Sequence, residues 1–344
     1  MRVAVVSPYA FEAPGGVQDQ VTRLVRWLLE EGHEAWAVGP GRAGPAGTRH
    51  VGGVVSVPTN RSRAPISVDP RVVGRIREAV EGADLVHVHE PLMPLVGVAA
   101  VLRSPVPTVG TFHADVGGIA RQAYRIGRPL LRRMVRSMAL TTAVSPVAAE
   151  AVAGFASPRI VANGLDVDAY LSDADRDGHR VVFLGRDEPR KGLDVLLAAW
   201  PAVRAAVPGA ELRVLGAERD APLEGVAWVG RVSEADKRAE LASAGVFCAP
   251  NLGGESFGIV LVEAMASGCR PVASDLPAFA DVVGDAGLLV PAGDRGALAS
   301  GLIAAIGDTG PEHRAAALER ARAFDRPAVL GAYLDAYREA LDSG

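Results

Sequence analysis

Short runs of aliphatic and β-branched residues alternate with longer amphipathic stretches along almost the whole chain, and that alternation admits few folds. Each short run is too brief for a buried helix and is bounded by turn residues. It reads as a strand of a parallel sheet, and the stretches between read as crossover helices. The first series of strands is expected at residues 3–7, 35–39, 85–89, 108–111 and 141–144. Between the first two lies a helix over 17–31, with Val21, Leu24, Val25 and Leu28 on one face and Gly32 closing it. A second series follows at 181–184, 211–215, 227–229, 245–249, 270–273 and 287–290. The polar, turn-rich stretch 166–179 separates the two. The fold class is therefore α/β, with two Rossmann-like doubly wound domains. The first spans 1–165 and is joined by a C-terminal helix within 327–344 that crosses back to it; the second spans 166–326. Domains of this kind bind ligands at the carboxyl ends of their strands, and two facing each other would frame one cleft.

Length supports the division, since 344 residues exceed one ordinary core. A net charge of −4 argues against a general nucleic-acid binder. Cys248 and Cys269 lack metal-ligand spacing, exclude a disulfide scaffold and read as core thiols. The first residues form a short strand pattern without the longer apolar region of a signal peptide. No run approaches the roughly twenty apolar residues that cross a bilayer. A cytoplasmic location is expected, with a peripheral position on the inner face of the cell membrane as a further expectation.

The chemistry concentrates in Gly253-Gly254-Glu255-Ser256-Phe257-Gly258, which runs straight into the apolar helix pattern Ile259-Val260-Leu261-Val262-Glu263. Glycines let a ligand approach the backbone closely. The helix start presents unpaired amides and a positive dipole end to an anion. Glu255 and Glu263 lie two turns apart, within reach of one extended ligand. Phosphate on the amides and hydroxyls on the carboxylates describe a nucleotide-sugar. Strand 181–184 ends in Gly185-Arg186-Asp187-Glu188-Pro189-Arg190-Lys191-Gly192, where Arg186 and Lys191 are placed to clamp a diphosphate. Taken alone, this loop reads first as a solvated charged turn; beside the glycine-rich acidic turn at 253–263 the clamp becomes the better reading. Gly15-Gly16 opens the first helix without a G-x-G-x-x-G fingerprint, which lowers a dehydrogenase reading.

His113 ends a strand on the expected cleft edge and is either a sugar ligand or a capped histidine. His87 and His89 alternate on one strand face beside Glu90; without further ligands at suitable spacing, structural roles are expected and no metal site. Arg121, Arg125, Arg128, Arg132, Arg133 and Arg136 fall in an acid-free stretch interleaved with Ile126, Leu130, Leu131, Met134 and Val135. Such a stretch is a candidate for an anionic membrane surface or a solvated helix face.

With these elements in order, the chain resembles the retaining GT-B glycosyltransferases of the large family that includes sucrose synthases and bacterial mannosyltransferases. The resemblance spans nearly the whole chain. It rests on the Glu255-x7-Glu263 turn, the Gly185-Arg186…Lys191-Gly192 loop, Gly15-Gly16 and Asn163-Gly164-Leu165-Asp166. Within the family it is most similar to actinobacterial phosphatidylinositol α-mannosyltransferases. The carriers are Ser7-Pro8-Tyr9-Ala10-Phe11, Pro14-Gly15-Gly16-Val17-Gln18, His87-Val88-His89-Glu90-Pro91, Thr111-Phe112-His113 and Ala249-Pro250-Asn251-Leu252-Gly253-Gly254-Glu255.

The resemblance implies a hexosyltransferase that moves mannose from GDP-mannose to an inositol-type lipid acceptor, phosphatidylinositol, with retention. The alternative it leaves open is another nucleotide-sugar with a different lipid or soluble acceptor. A sugar-nucleotide epimerase is disfavoured by the acid-x7-acid turn. The resemblance assigns the first domain to the acceptor and the second to the nucleotide-sugar. Arg186 and Lys191 would hold the diphosphate, with the amides of Gly15, Gly16, Phe257, Gly258, Ile259 and Val260 around it. Glu263 would take the ribose, Glu255 the donor sugar and Glu234 the guanine edge, with His113 facing the reacting sugar. Tyr9, Gln18, Asn60 and Ser62 would line the acceptor pocket. No cofactor is required on this reading, Mg²⁺ entering only as an optional stimulant, and nucleic acid is not a partner. The sequence departs from the subgroup in a shorter Arg186–Lys191 loop, in Thr59 and Pro65, and in Glu78 and Glu81, which offset Arg71, Arg75 and Arg77.

Overall fold

The computed structural model describes residues 1–13, 15–59, 62–113, 118–220 and 222–343, the side chains of 58, 59, 62–64 and 118–121 excepted. The chain divides into two compact units, Met1–Gly164 with Arg326–Gly344, and Leu165–Asp325.

The first unit opens with β1 (Arg2–Val6), α1 (Gly16–Glu30), β2 (Glu34–Gly39), β3 (Arg49–His50), β4 (Val55–Thr59), β5 (Ser62–Ile66) and α2 (Val72–Ala79). It continues through β6 (Leu85–His89), α3 (Val96–Arg103), β7 (Thr108–Phe112), α4 (Gly118–Val135), β8 (Leu140–Ala143), α5 (Pro146–Val152) and β9 (Arg159–Ile160). Seven strands pair in the order β3-β2-β1-β6-β7-β8-β9, all parallel. The period-two alternation divides the core. Val3, Val5 and Leu85 pack with Leu24, Val25 and Trp27, whereas Ala4, Val6, Val86 and Val88 pack with Val72, Ile76 and Ala100 on the other side. Both faces of the sheet are thus covered by helices, as a parallel sheet requires.

β4 and β5 form an antiparallel ribbon, Val55 opposite Ile66 and Thr59 opposite Ser62, that the sequence pattern did not anticipate. Pro58 and Pro65 argue against strands, because proline cannot donate to a ladder. In a two-stranded ribbon each strand keeps one edge outside the ladder, so a missing N–H directed there costs no ladder bond.

The second unit holds β10 (Asp177–Leu184), α6 (Leu193–Ala206), β11 (Glu211–Leu215), β12 (Val226–Gly230), α7 (Glu234–Ala242) and β13 (Ala244–Ala249). It ends with α8 (Ile259–Ala266), β14 (Arg270–Ser274), α9 (Pro277–Val283), β15 (Leu288–Val290), α10 (Arg295–Ile306) and α11 (Pro311–Arg322). Its six parallel strands run in the order β12-β11-β10-β13-β14-β15. Strand order therefore reverses between β10 and β13, as it does between β1 and β6 in the first unit. Those reversals are where doubly wound sheets leave room for a ligand. The final helix, α12 (Arg326–Asp342), belongs to the first unit, burying Val329, Leu330, Tyr333, Tyr337 and Ala340 in its core.

Candidate active site

In the second unit, the loops that follow β10 and β13 meet at the reversal of strand order. Gly192 adopts φ +71, and a β-carbon there would lie 1.8 Å from the carbonyl oxygen of Pro250, so only glycine permits this approach. The Leu252 N–H donates to the Arg190 carbonyl at 2.8 Å, joining the two loops a second time. This backbone contact brings Lys191 to Glu255: Nζ to Oε2 is 2.7 Å, with both side chains largely buried. Asn251 Nδ2 donates to the same oxygen at 2.9 Å. Arg190 donates to Glu188 at 2.8 Å and lies 3.8 Å from Glu255, while Arg186, mostly exposed, pairs with Glu188 at 3.0 Å.

Beyond Glu255 the chain turns through Gly258 at φ +94 into α8. The Leu261 N–H closes on the Gly258 carbonyl at 2.9 Å, so the helix start presents the Ile259 and Val260 amides. Cations, a carboxylate and a helix start are thus supplied by two loops whose backbones are in contact.

Glu263 lies further along α8, buried, on a separate cation. Lys237 Nζ donates to its Oε1 at 2.9 Å, and the Tyr170 hydroxyl donates to the same oxygen at 3.1 Å. Lys237 also bridges to Glu234 at 2.9 Å, one helical turn back on α7. Burial works against the Lys237 ammonium, but Glu263 and Glu234 outweigh it and hold its pKa above the ordinary lysine value. Glu234 is exposed and opens α7, whose N-cap is Ser233. Tyr170 comes from a short 3-10 turn, Val167–Tyr170, so part of the polar stretch after 165 is built into this site.

The Phe257 ring is buried edge-on against Phe324 at 5.6 Å, so Phe257 offers a ligand its backbone and not its ring.

In the first unit, the elements expected to carry an acceptor site end at the corresponding edge of its sheet. Gly15 caps α1 in extended conformation, and a β-carbon on Gly16 would meet open space, as close ligand approach requires. Tyr9 bridges to Ile66 of β5, and burial, then the nearby Glu90 carboxylate, push its phenol pKa up. Gln18 is buried with its amide nitrogen already bound to the carbonyls of Ala10 and Ala13, at 3.3 and 3.2 Å. In this structure it braces the loop before α1. Asn60 lies outside the described residues, and Ser62 is described by its backbone alone.

His113 is buried at the end of β7, its N–H donating to Glu90 Oε1 at 2.8 Å and its Nε2 lying 2.7 Å from His89 Nδ1. His87 bonds Tyr337 at 2.7 Å and Thr111 at 2.6 Å. Burial pushes His87 and His113 down to about 3 and His89 well below the ordinary value, so all three rings are neutral at physiological pH.

Known proteins resemble the chain along its whole length. Residues 14–169 match the family model described as Glycosyltransferase Family 4, and residues 178–308 match Glycosyl transferases group 1. A phosphatidyl-myo-inositol mannosyltransferase from Mycobacterium leprae is 36% identical, the alignment covering 100% of this chain and 98% of that one. The chain belongs to the family 4 glycosyltransferases. A GDP-mannose-dependent alpha-mannosyltransferase from Mycolicibacterium smegmatis is 30% identical over 82% of each chain. Among solved structures, Anabaena Alr3699/HepE in complex with UDP shares the glycosyltransferase's fold, with a TM-score of 0.76 over 98% of this chain at 18% identity.

Several residues of the glycosyltransferase escaped the sequence reading. Arg190, Asn251, Lys237 and Tyr170 each hold one of the two acids. Their nearest signals were the Arg190-Lys191 dipeptide and the three-residue spacing of Glu234 and Lys237 on one helix.

Proposed function

We propose that this glycosyltransferase moves mannose from GDP-mannose to the inositol headgroup of phosphatidylinositol, with retention of anomeric configuration. The observation that carries the reading is the Lys191–Glu255 pair at 2.7 Å beside the α8 amides. In the absence of donor, cation and carboxylate neutralise each other. An arriving diphosphate takes Lys191 and the Ile259 and Val260 amides, and Glu255 is released to the hydroxyls of the donor sugar. Arg186, exposed and held by Glu188, completes the clamp. As the glycosidic bond breaks, negative charge grows on the diphosphate, where these fixed cations and the helix dipole stabilise it. The acceptor hydroxyl attacks the same face and passes its proton to the departing phosphate oxygen. Transfer on this reading needs no resident metal, and Mg²⁺ acts as a stimulant only.

Glu263 takes the ribose hydroxyls. Glu234 accepts from guanine N1–H and N2–H₂, a donor pair that uracil and adenine do not offer together. His113 meets the donor sugar, and Tyr9 and Ser62 serve the acceptor. The lipid acceptor places the enzyme on the inner face of the cell membrane, with α4 as the contacting element. No helix among the described residues is long and apolar enough to cross a membrane.

A thermal-shift panel of GDP, UDP and ADP with their sugars tests the donor assignment. A ligand at one hundred times its Kd adds about 2.7 kcal/mol. GDP and GDP-mannose should raise the melting temperature most, and Glu234→Ala should erase that preference while sparing the shared diphosphate contribution. Greater stabilisation by a UDP-sugar than by GDP-mannose rejects the guanine reading.

A further inference from the structure

The His87-Val88-His89-Glu90 segment has a role that core packing does not explain. Glu90 sits at φ +51, a left-handed conformation that strains a residue with a side chain. Its backbone is fixed in that state, the N–H donating to the Thr111 carbonyl at 2.8 Å and the carbonyl accepting from Met93 at 3.0 Å. The result carries its buried carboxylate across to the end of the neighbouring strand, where Oε1 accepts the His113 N–H. The His113 ring is held separately, stacked on His89 with centroids 4.9 Å apart and bonded to it at 2.7 Å. His89 in turn lies 4.4 Å from His87, whose two ring nitrogens are both occupied.

One atom fixes where the protons sit. His89 Nε2 is buried and has no hydrogen-bond partner among the described residues. Neutral imidazole carries one N–H and one lone pair. Were His113 the donor in the shared bond, His89 would carry its proton on Nε2, burying an N–H with no acceptor. An orphaned buried donor is the rarer and costlier state, whereas an unfilled lone pair is tolerated more readily. His89 Nδ1–H therefore donates, His113 Nε2 accepts, and His113 carries its proton on Nδ1.

We infer that His89 and Glu90 are positioning residues which fix the orientation and tautomer of His113, so that the ring offers an Nδ1–H donor to an oxygen of the donor sugar. The inference rests on the reading of His113 as the group that meets that sugar. An outer partner of this kind is worth roughly 10- to 100-fold in activity when removed, by analogy with groups that orient metal-bound imidazoles. Glu90 contributes the backbone anchor and His89 the ring anchor.

Long-range ¹H–¹⁵N spectra of histidine-labelled wild-type protein read the tautomer directly, without substrate. His113 should appear protonated on Nδ1. Turnover of GDP-mannose should fall about 10- to 100-fold in kcat in His89→Leu, with KM for the donor changed less than about 3-fold. His89→Asn, whose side-chain amide nitrogen stands near the position of Nδ1, should recover to within about 3-fold of wild type. A wild-type spectrum showing His113 protonated on Nε2 overturns the proposal, as does a folded His89→Leu with wild-type kcat. His113→Ala separates the two readings. If it turns over normally, the placement of His113 at the sugar is wrong, and the wild-type spectrum still decides the tautomer.

Discussion

Lys191 is the residue on which the leaving-group reading turns. Replacing it with alanine removes the cation 2.7 Å from Glu255 but does not strand that carboxylate, because Asn251 still donates at 2.9 Å and Arg190 stays at 3.8 Å. The fold should therefore survive, with a stability loss of about 1–2 kcal/mol. Turnover should not survive: loss of one preorganised donor to developing charge costs roughly 10²- to 10³-fold in kcat. Circular dichroism melts beside initial rates with GDP-mannose give both numbers, and a stable variant at wild-type rate removes Lys191 from the clamp. The residue types of this site were legible in the sequence because amide, guanidinium, ammonium and carboxylate chemistry is local and the motif spacings are short. What was not legible is who holds whom. Glu263 meets Lys237 and Tyr170 through the fold rather than along the chain. The ring of Phe257 is likewise placed by Phe324, a residue far along the chain.

Among the elements, α4 is the one whose surface asks for a partner. Arg125, Arg128, Arg132, Arg133 and Arg136 are exposed on it and just past its end, and Ile126 and Leu130 stand 74% and 72% exposed between them. A cavity of about 390 Å³ beside it is walled by Tyr124 and Phe155 in edge-to-face contact, with Arg125 and Arg128 at its margin. By contrast, α2 mixes Arg75 and Arg77 with Glu78, and Arg75 is partnered by Asp69 at 3.8 Å. Each arginine near an anionic lipid surface contributes about 1 kcal/mol, and the attraction is screened within about 10 Å at 0.1 M salt. The protein should therefore sediment with phosphatidylglycerol vesicles at low salt, release as salt rises, and lose binding in Arg132→Glu/Arg133→Glu. Equal partitioning onto neutral phosphatidylcholine vesicles contradicts the assignment. α1 and β6 were readable to within a residue, the first by its repeating apolar face and the second by its continuous burial. β3 and β9, two residues each at sheet edges, carry no such pattern. The β4–β5 ribbon was hidden by its prolines, whose missing amides are harmless only where they face away from the ladder.

At the scale of the whole molecule, the buried histidines make the stability of the first unit depend on pH. His87, His89 and His113 lie in the first unit, as does α12, whose Tyr337 hydroxyl bonds His87. None of the charged or polar side chains buried in the second unit is a histidine. Their folded pKa values are depressed, to about 3 for His87 and His113, against about 6.5 in an unfolded chain. Above about pH 6.5 neither state binds the proton and stability is level. Below it the unfolded chain takes up protons that the folded unit refuses, so stability falls as pH falls, down towards pH 3. The slope is at most about 1.4 kcal/mol per pH unit for each histidine. Carboxylates held low by their partners, such as Asp84 and Asp187, act only below about pH 5, because their unfolded values lie near 4. The interval from pH 6.5 to 5 thus isolates the histidines. Against a typical domain stability of about 5–15 kcal/mol, a loss of several kcal/mol is large. Calorimetric scans from pH 8 to 5, at low protein concentration because the pI is near 6.0, should resolve a transition that stays level to about pH 6.5 and then drops by roughly 2–4 °C per kcal/mol lost. His87→Asn should flatten that fall by its share of the slope. A melting profile level down to pH 5 in wild type means that these imidazoles accept protons in place, and that the neutral cluster around His113 is wrong.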